Sequence, residues 1–202
     1  MPNSVSDNAV VDNGFAALRV DLRRKRRHYT RIDNFVNKYI KMTLQWGSLA
    51  VMAFRLRQQC HAVKPDILAV LLSFFAWLIE GVLRLFTDCR ISPTAKIGRG
   101  LVLHNFAGIE IDPALAGSNL TVNQNVCIGR DHTGEGKPTL GDNVFVGAGA
   151  KIMGAVSIGN NVVIAANALV ISSIPDNCSV VGNPAKIVSR GVTSDYLSFD
   201  TE

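Results

Sequence analysis

The residues that decide the fold lie between 138 and 171 and read PTLGDNVFVGAGAKIMGAVSIGNNVVIAANALVI. An α-helix with 3.6 residues per turn cannot keep a six-residue apolar spacing on one face, yet every sixth residue here is apolar: Leu140, Val146, Ile152, Ile158, Ile164 and Val170. Four residues after each of these anchors stands a second apolar series: Val144, Ala150, Val156, Val162, Ala168 and Ile174. The spacing is typical of a parallel β-helix, in which three short strands make one triangular coil of about 18 residues.

The same spacing extends towards the N-terminus. It includes Ile91, Ile97, Leu103 and Ile109, and after a slip of one residue it resumes at Ala116, Val122 and Ile128. Between Ile128 and Leu140 the pattern lapses, which predicts a loop that leaves the wall. A β-sandwich is the alternative, but it would need strands and turns of varying length. We therefore predict a mainly β fold, a β-helix of hexapeptide repeats preceded by an α-helical region.

The corner positions have a composition that fits sharp turns. Asn, Asp and Gly tolerate the positive φ that such corners require. One of them stands three residues after the anchor in nine hexads: Gly100, Asp112, Asn119, Asn125, Asp131, Asn143, Gly149, Asn161 and Asn167. Because Asn125, Asn143 and Asn161 are 18 residues apart, we expect them to stack, one per coil.

The change of pattern along the chain predicts four segments. They are a flexible leader over 1–20, an α-helical region over 21–88, the β-helix over 89–178, and a closing segment with the C-terminal tail over 179–202. Within the helical region, one helix is predicted from about Arg31 to Cys60. A second, very apolar helix is predicted over 66–86.

The apolar helix is interrupted by Glu80 and Arg84, which leaves 13 uncharged residues from Ile67 to Ile79. A membrane span needs about 20 apolar residues. A helix buried against partner subunits is therefore favoured over an interfacial membrane helix, and both are favoured over a true span.

The formal net charge of +5 is concentrated near the N-terminus, where nine of the 21 Lys and Arg residues lie between Arg19 and Lys41. The basic run 23–27 has no interleaved aromatic residues, so it predicts a solvated arm rather than a nucleic-acid-binding segment. Among functional interpretations, binding to an anionic membrane surface is favoured over nucleic-acid binding. Four well-separated cysteines support neither a disulfide framework nor a zinc site. They fit a protein of the reducing cytoplasm, with membrane association as an open alternative.

Residues 91–188 resemble the hexapeptide-repeat acyltransferases, and specifically the serine acetyltransferase branch. The resemblance is carried by ISPTAKIGRGLVL at 91–103, PTLGDNVFVGAGAKI at 138–152 and the closing GNPAKIV at 182–188. It implies a left-handed coil, acetyl-CoA as co-substrate, and a homotrimer or dimer of trimers with the acyl donor in the groove between β-helices. The positions that would contact CoA are Phe145, Gly147, Ala148, Ala166, Pro184 and Lys186.

Acetyl transfer to a hydroxyl needs a base for the hydroxyl proton and donors for the oxyanion. His104 follows an inward anchor and should point outward, and His132 lies in the predicted loop, so both are candidates for catalysis. Aligned without gaps, the catalytic histidine of the resembled family falls on Asn105, its acidic partner on Arg90 and its second active-site histidine on Lys137.

The resemblance predicts an acetyl-CoA-dependent O-acetyltransferase of the serine acetyltransferase type, which makes O-acetylserine. An alternative acceptor is a sugar hydroxyl in capsular or exported polysaccharide synthesis. More distant alternatives are a γ-carbonic-anhydrase-like zinc protein and a non-catalytic β-helix. A zinc site of that kind needs three histidines, and this β-helix has two, so no metal is expected.

Overall fold

The structure is a computed structural model that describes residues 14–28, 46–62, 74–75, 77–78, 81–82, 88–104, 107–134 and 136–192. Two helices lie in the described N-terminal part, α1 (Gly14–His28) and α2 (Trp46–Ala62). The strands are β1 (Cys89–Ile91), β2 (Lys96–Ile97), β3 (Val102–Leu103), β4 (Ile109–Ile111), β5 (Leu115–Ala116), β6 (Thr121–Val122), β7 (Cys127–Gly129), β8 (Thr139–Leu140), β9 (Phe145–Val146), β10 (Lys151–Met153), β11 (Ser157–Ile158), β12 (Val163–Ile164), β13 (Leu169–Val170), β14 (Cys178–Val181) and β15 (Lys186–Arg190).

The strands form the three faces of a parallel β-helix of about five coils. Sheet 1 contains β1, β4, β7, β10 and β13, sheet 2 contains β2, β5, β8 and β11, and sheet 3 contains β3, β6, β9, β12 and β14. All these pairs are parallel, and β15 then turns back antiparallel on β14. The predicted fold class is confirmed.

The predicted anchors line the interior of the coil. Each of the thirteen is buried, with no more than 6% of its surface exposed. Anchors of successive coils also pair in register, as Ile152 does with Val170 and Leu140 with Ile158. Since strand side chains alternate, the residue after each anchor lies on the outside of the wall.

Three lines of corners run along the coil, and we name each by the sheets that it joins. Edge 3–1 consists, within the described ranges, of residues 104, 107–108, 123–126, 147–150 and 165–168, where the chain passes from sheet 3 to sheet 1. Edge 1–2 includes residues 92–95, 112–114, 130–134 and 136–138, and edge 2–3 includes residues 117–120, 141–144 and 159–162.

The one-residue slip arises from two unequal corners. Ile111, and not Ile109, pairs with the anchor Ile91, while Ile109 pairs with Cys89. The step from Leu103 to Ile111 is therefore two residues longer than a hexad, and the step from Ile111 to Ala116 is one residue shorter. The longer corner lies at edge 3–1 and begins with His104.

The predicted stack of Asn125, Asn143 and Asn161 is wrong at its first member. Asn125 lies at edge 3–1, whereas at edge 2–3 each side-chain amide donates to the next oxygen, at 2.9 Å from Asn119 to Asn143, 3.0 Å from Asn143 to Asn161 and 2.8 Å from Asn161 to Asn177. The loop between β7 and β8 adds a whole hexad to the third coil, so 18 residues no longer complete a turn there.

The corner chemistry is otherwise as predicted. Positive φ is found at seven of the nine positions, and the two exceptions, Asp112 and Asp131, both lie at edge 1–2. Edge 1–2 is therefore built differently from the other two, and it is also the edge from which the loop leaves the wall.

The two helices close the N-terminal end of the β-helix. Val51 and Phe54 of α2 join the same apolar cluster as Cys89 and Ile91 of the first coil. The strand edge of that coil would otherwise present unpaired backbone groups. The helices that cover this strand edge must therefore provide hydrogen-bonding groups as well as apolar side chains.

A buried ion pair supplies those partners. Asp21 accepts hydrogen bonds from the backbone amides of Gly100 at 2.6 Å and Leu101 at 2.9 Å, and from Arg55 Nε at 2.9 Å. The Arg55 guanidinium also donates to the carbonyl oxygens of Ile97 at 2.9 Å and Gly98 at 2.6 Å. Burial raises the pKa of Asp21 above its ordinary 3.8, although Arg55 and the two amides lower it.

Of the three basic side chains that the structure describes in the run 23–27, two do not belong to the solvated arm that was predicted. Arg23 is exposed, but Arg24 donates to the Gly100 carbonyl at 2.6 Å and to Thr121 Oγ1 at 3.0 Å, and Lys25 is buried. Helix α1 begins at Gly14, seven residues inside the predicted leader. Its position is set by contacts with residues about 80 positions away, which no local pattern reveals.

The described part of helix α2 begins at Trp46, within the predicted range from Arg31 to Cys60, and its first fifteen predicted residues lie outside the described residues. Of the apolar segment 66–86, residues 74–75, 77–78 and 81–82 are helical. Within the described ranges, no helix has the length and hydropathy to cross a membrane.

Candidate active site

A column of four residues forms the outer lining of edge 3–1. The register of sheet 3 places the residues after its anchors in one line: His104, Asn123, Gly147 and Ala165. His104 is half-buried and its backbone amide donates to the Val122 carbonyl at 2.8 Å. Because neighbouring coils are about 4.8 Å apart, His104 lies about 10 Å below Gly147.

Asn123 is a candidate that the sequence did not single out. It lies directly above His104, and its Nδ2 donates to the Val146 carbonyl at 3.1 Å. The same outward slot is Gly in many hexads, such as Gly98, Gly117 and Gly147. The sequence signal that could have identified Asn123 is that two successive coils have a polar residue, His104 and then Asn123, at the position after the anchor.

The glycine at position 147 is required by coil stacking. A Cβ there would lie 2.5 Å from the Ala166 nitrogen and 2.8 Å from the Ala165 carbonyl carbon. Its neighbour Ala148 is half-buried and Ala166 is exposed, while Phe145 is half-buried on the outer face of β9. Edge 3–1 above His104 is therefore a strip of small side chains in which backbone groups are close to the surface.

The closing segment lies at the far end of the same edge. Leu169 donates to the Gly182 carbonyl at 3.0 Å, and Ala185 donates to the Leu169 carbonyl at 2.7 Å. Pro184, whose peptide bond with Asn183 is cis, and Lys186 are both exposed next to these contacts. The structure thus places the predicted CoA positions along or beside the edge that begins with His104.

His132 lies elsewhere, on the loop of edge 1–2, where its side chain is exposed. Asp131 next to it caps a turn, since its Oδ1 accepts from the Thr133 amide at 3.0 Å and from the Thr133 hydroxyl. The Thr133 hydroxyl lowers the pKa of Asp131, and His132 adds to this effect. In one chain His104 and His132 are therefore at opposite margins of sheet 1, and Asn105 lies outside the described residues.

Lys137 is held at the base of that loop. Its Nζ is 2.6 Å from Asp112 Oδ1 on the preceding coil and 3.5 Å from Thr94 Oγ1 on the coil before that. The Lys137 and Asp112 side chains are 19% and 29% exposed, so the pair is partly shielded from water. The sequence analysis identified Asp112 only as a corner residue. Its pairing with Lys137 could not be predicted, because the two residues are 25 positions apart and no local pattern links them.

The described residues contain no group of three or more His, Cys, Asp or Glu side chains that could hold a metal ion.

Comparison with known proteins identifies the family. Residues 137–172 match the bacterial transferase hexapeptide (six repeats) family. The serine acetyltransferase of Bacillus pumilus (strain SAFR-032) is 32% identical over 160 residues, which cover 77% of this chain and 70% of the relative. The chain belongs to the serine acetyltransferase family. It is a homologue of these hexapeptide-repeat acyltransferases, and the serine acetyltransferase of Helicobacter pylori (strain ATCC 700392 / 26695) is 36% identical over 157 residues, or 76% of this chain and 88% of that one.

Two solved serine acetyltransferases share the fold at 25% identity. The enzyme of Neisseria gonorrhoeae in complex with serine aligns with a TM-score of 0.70 over 86% of this chain and 68% of its own. The enzyme of Brucella abortus strain S19 in complex with coenzyme A aligns with a TM-score of 0.72 over 87% and 68%. Both alignments agree with the left-handed β-helix that the resemblance implied.

Proposed function

We propose that this protein transfers the acetyl group of acetyl-CoA to the hydroxyl of L-serine, giving O-acetylserine. The observation that carries the proposal is the alignment of His104 with a strip of small residues along edge 3–1. Serine acetyltransferases of the same fold have been solved with serine and with coenzyme A, which supports both the acceptor and the donor.

In this proposal the acyl donor lies along edge 3–1. The backbone groups near Gly147, Ala148 and Ala166 approach the pantetheine arm, Phe145 packs against it, and Lys186 provides a positive charge for a phosphate. Pro184 shapes the same end of the groove. Small side chains permit this close approach of backbone to ligand.

His104 acts as the general base. It removes the proton of the acceptor hydroxyl as the oxygen attacks the thioester carbonyl. The resulting oxyanion collapses with loss of the CoA thiolate, which takes up the proton from His104 and so restores the base. In this proposal the second N–H of the Asn123 amide, the one not used for the Val146 carbonyl, donates a hydrogen bond to the oxyanion. Asn105 borders His104 in sequence and is proposed to orient the acceptor.

The resemblance implies a trimer, and the separation of the two candidate histidines supports one. In a cyclic assembly, one surface of each copy contacts a different surface of the next. Edge 3–1 of one copy would then face edge 1–2 of its neighbour, so His132 and Lys137 would complete the acceptor side of the site. A solution mass of three chains, or of six for a dimer of trimers, is expected from light scattering.

A sugar hydroxyl is the second candidate acceptor, and the Lys137–Asp112 pair favours it. The Lys137 ammonium group, held by Asp112, offers hydrogen-bond donors where the resembled family has a histidine. A charged donor and a charged acceptor held side by side suit a polyhydroxyl or acidic sugar, which can hydrogen-bond to both.

An acceptor comparison tests the proposal. CoA release from acetyl-CoA should be stimulated by L-serine more than by any of a panel of neutral and acidic sugars, with water alone as the blank. Stimulation by a sugar and not by L-serine would replace the first candidate with the second. Release that no acceptor stimulates would contradict both.

A further inference from the structure

The loop between β7 and β8 packs against the coil above it at two points. Asp131 lies against Gly154, since a Cβ on Gly154 would be 3.3 Å from Asp131 Oδ2. Gly136 lies against Ala155, since a Cβ on Gly136 would be 2.5 Å from the Ala155 Cβ. The loop therefore rests on the next corner of edge 1–2.

The end of the same loop is also attached to the two coils below it. The Pro138 carbonyl accepts a hydrogen bond from the Ala114 amide at 2.9 Å. Lys137 Nζ is 2.6 Å from Asp112 Oδ1 on the second coil and 3.5 Å from Thr94 Oγ1 on the first. The ammonium group of Lys137 is thus held from below by a carboxylate and a hydroxyl.

Asp112 is the stronger of these two partners of Lys137. It is charged and lies at a short hydrogen-bond distance, whereas Thr94 is neutral and lies at the limit of such a bond. Asp112 is itself fixed, because its backbone amide donates to the Ile128 carbonyl at 2.7 Å. A lysine ammonium group ends a flexible four-carbon chain, so Asp112 determines where this charge lies.

We infer that Asp112 is a positioning residue for the proposed acetyl transfer. Through its ion pair with Lys137 it fixes the ammonium group, and with it the end of the loop, at the acceptor side of the site. The inference rests on the proposed function, in which Lys137 of one copy completes the acceptor side at edge 3–1 of the next. Asp112 acts through Lys137 and takes no part in the chemistry.

A double-mutant cycle tests this route. Asp112→Asn should raise the KM of the best acceptor by about tenfold, while the KM of acetyl-CoA stays within about twofold. Lys137→Met should raise the acceptor KM at least as much, and adding Asp112→Asn to it should have little further effect. Asp112→Glu, which keeps the carboxylate, should restore most of the lost affinity. Effects that multiply in the double variant would overturn the inference.

Two glycines of the loop test whether it is held in one position. Gly136 and Gly134 have nearly the same φ, +73° and +72°, but a Cβ on Gly134 meets nothing within 4 Å. Gly136→Ala should therefore raise the acceptor KM by about threefold or more, and Gly134→Ala should raise it less, because the backbone strain is shared and the clash with Ala155 is not. Equal changes in the two variants would contradict a loop fixed on the wall.

Hydrogen exchange gives a readout that needs no activity. The amides of residues 130–134, 136 and 137 should exchange at least about fivefold faster in Asp112→Asn, because the end of the loop loses an attachment. Asp142→Asn is the matched control, since its carboxylate lies at edge 2–3, where it accepts from the Ser118 amide at 2.6 Å. It should change neither the exchange of the loop nor the acceptor KM.

Failure of the inference and failure of the proposed function give different results. CoA release that no acceptor stimulates would contradict the proposed function, and faster exchange in Asp112→Asn would still show that the ion pair holds the loop. Unchanged exchange of the loop in Asp112→Asn would overturn the inference, whichever acceptor the protein uses.

Discussion

At the scale of single residues, Lys25 has a charge that the fold does not favour. Its side chain is buried, with 4% of its surface exposed, and burial lowers its pKa from the ordinary 10.5 to about 8. Between about pH 8 and pH 10.5 the unfolded chain binds this proton and the folded chain does not, so stability rises with pH in that window. Below pH 8 both states are protonated, and the cost is constant at about 3 kcal/mol.

Replacement of Lys25 by Met should therefore raise the free energy of unfolding at pH 7 by up to about 3 kcal/mol and abolish its rise between pH 8 and 10.5. Denaturant titrations at several pH values measure both effects. Arg23→Met, at an exposed position two residues away, serves as the control and should change little. A rise with pH that survives in Lys25→Met would show that another group is responsible.

At the scale of elements, the pair of Asp21 and Arg55 attaches both helices to the first coil. Loss of one partner leaves a buried charge without compensation, so Asp21→Ala or Arg55→Met alone should cost about 3–5 kcal/mol of unfolding free energy. The double variant should cost less than the sum of the two by at least about 1 kcal/mol. Chemical denaturation of the four proteins provides the cycle, and additive effects would mean that the two side chains act independently.

The stacking of the coils can be tested with two buried glycines. Gly147→Ala places a Cβ 2.5 Å from the Ala166 nitrogen, whereas a Cβ on Gly129 meets nothing within 4 Å. We expect Gly147→Ala to destabilise the protein by about 1–3 kcal/mol and Gly129→Ala to be neutral or slightly stabilising. Thermal melts of the two variants compare them directly. Equal melting temperatures would contradict the close stacking at edge 3–1.

At the scale of the whole molecule, the sequence predicts the parts of the fold that are built from the six-residue repeat. It does not predict the parts that depart from the repeat. The six-residue spacing determined the coil and its thirteen buried anchors, because each anchor needs only a local pattern. The six-residue pattern lapses between Ile128 and Leu140, and this lapse predicted the loop. The pattern did not show that the loop lengthens the coil by a whole hexad, so the stacking of Asn125 was predicted wrongly.

Long-range polar contacts could not be predicted from the sequence, because they are not part of the local repeat. Asp21 meets Gly100 and Leu101 across about 80 residues, and Lys137 meets Asp112 across 25. The outward position of His104 followed from strand alternation, whereas its neighbour Asn123 became visible only from the register of sheet 3. The repeat thus predicts the β-helix itself. Which polar groups the β-helix brings together can be known only from the three-dimensional structure.

The central claim is that His104 on edge 3–1 is the base for acetyl transfer. The most direct measurement is the kcat for transfer from acetyl-CoA to the best acceptor in His104→Ala, compared with His132→Ala on the opposite margin of sheet 1 and with the unchanged protein. We expect kcat of His104→Ala to fall by about 10²–10⁴-fold while coenzyme A still binds, and His132→Ala to retain more activity. Unchanged kcat in His104→Ala would contradict the account and move the base to another residue.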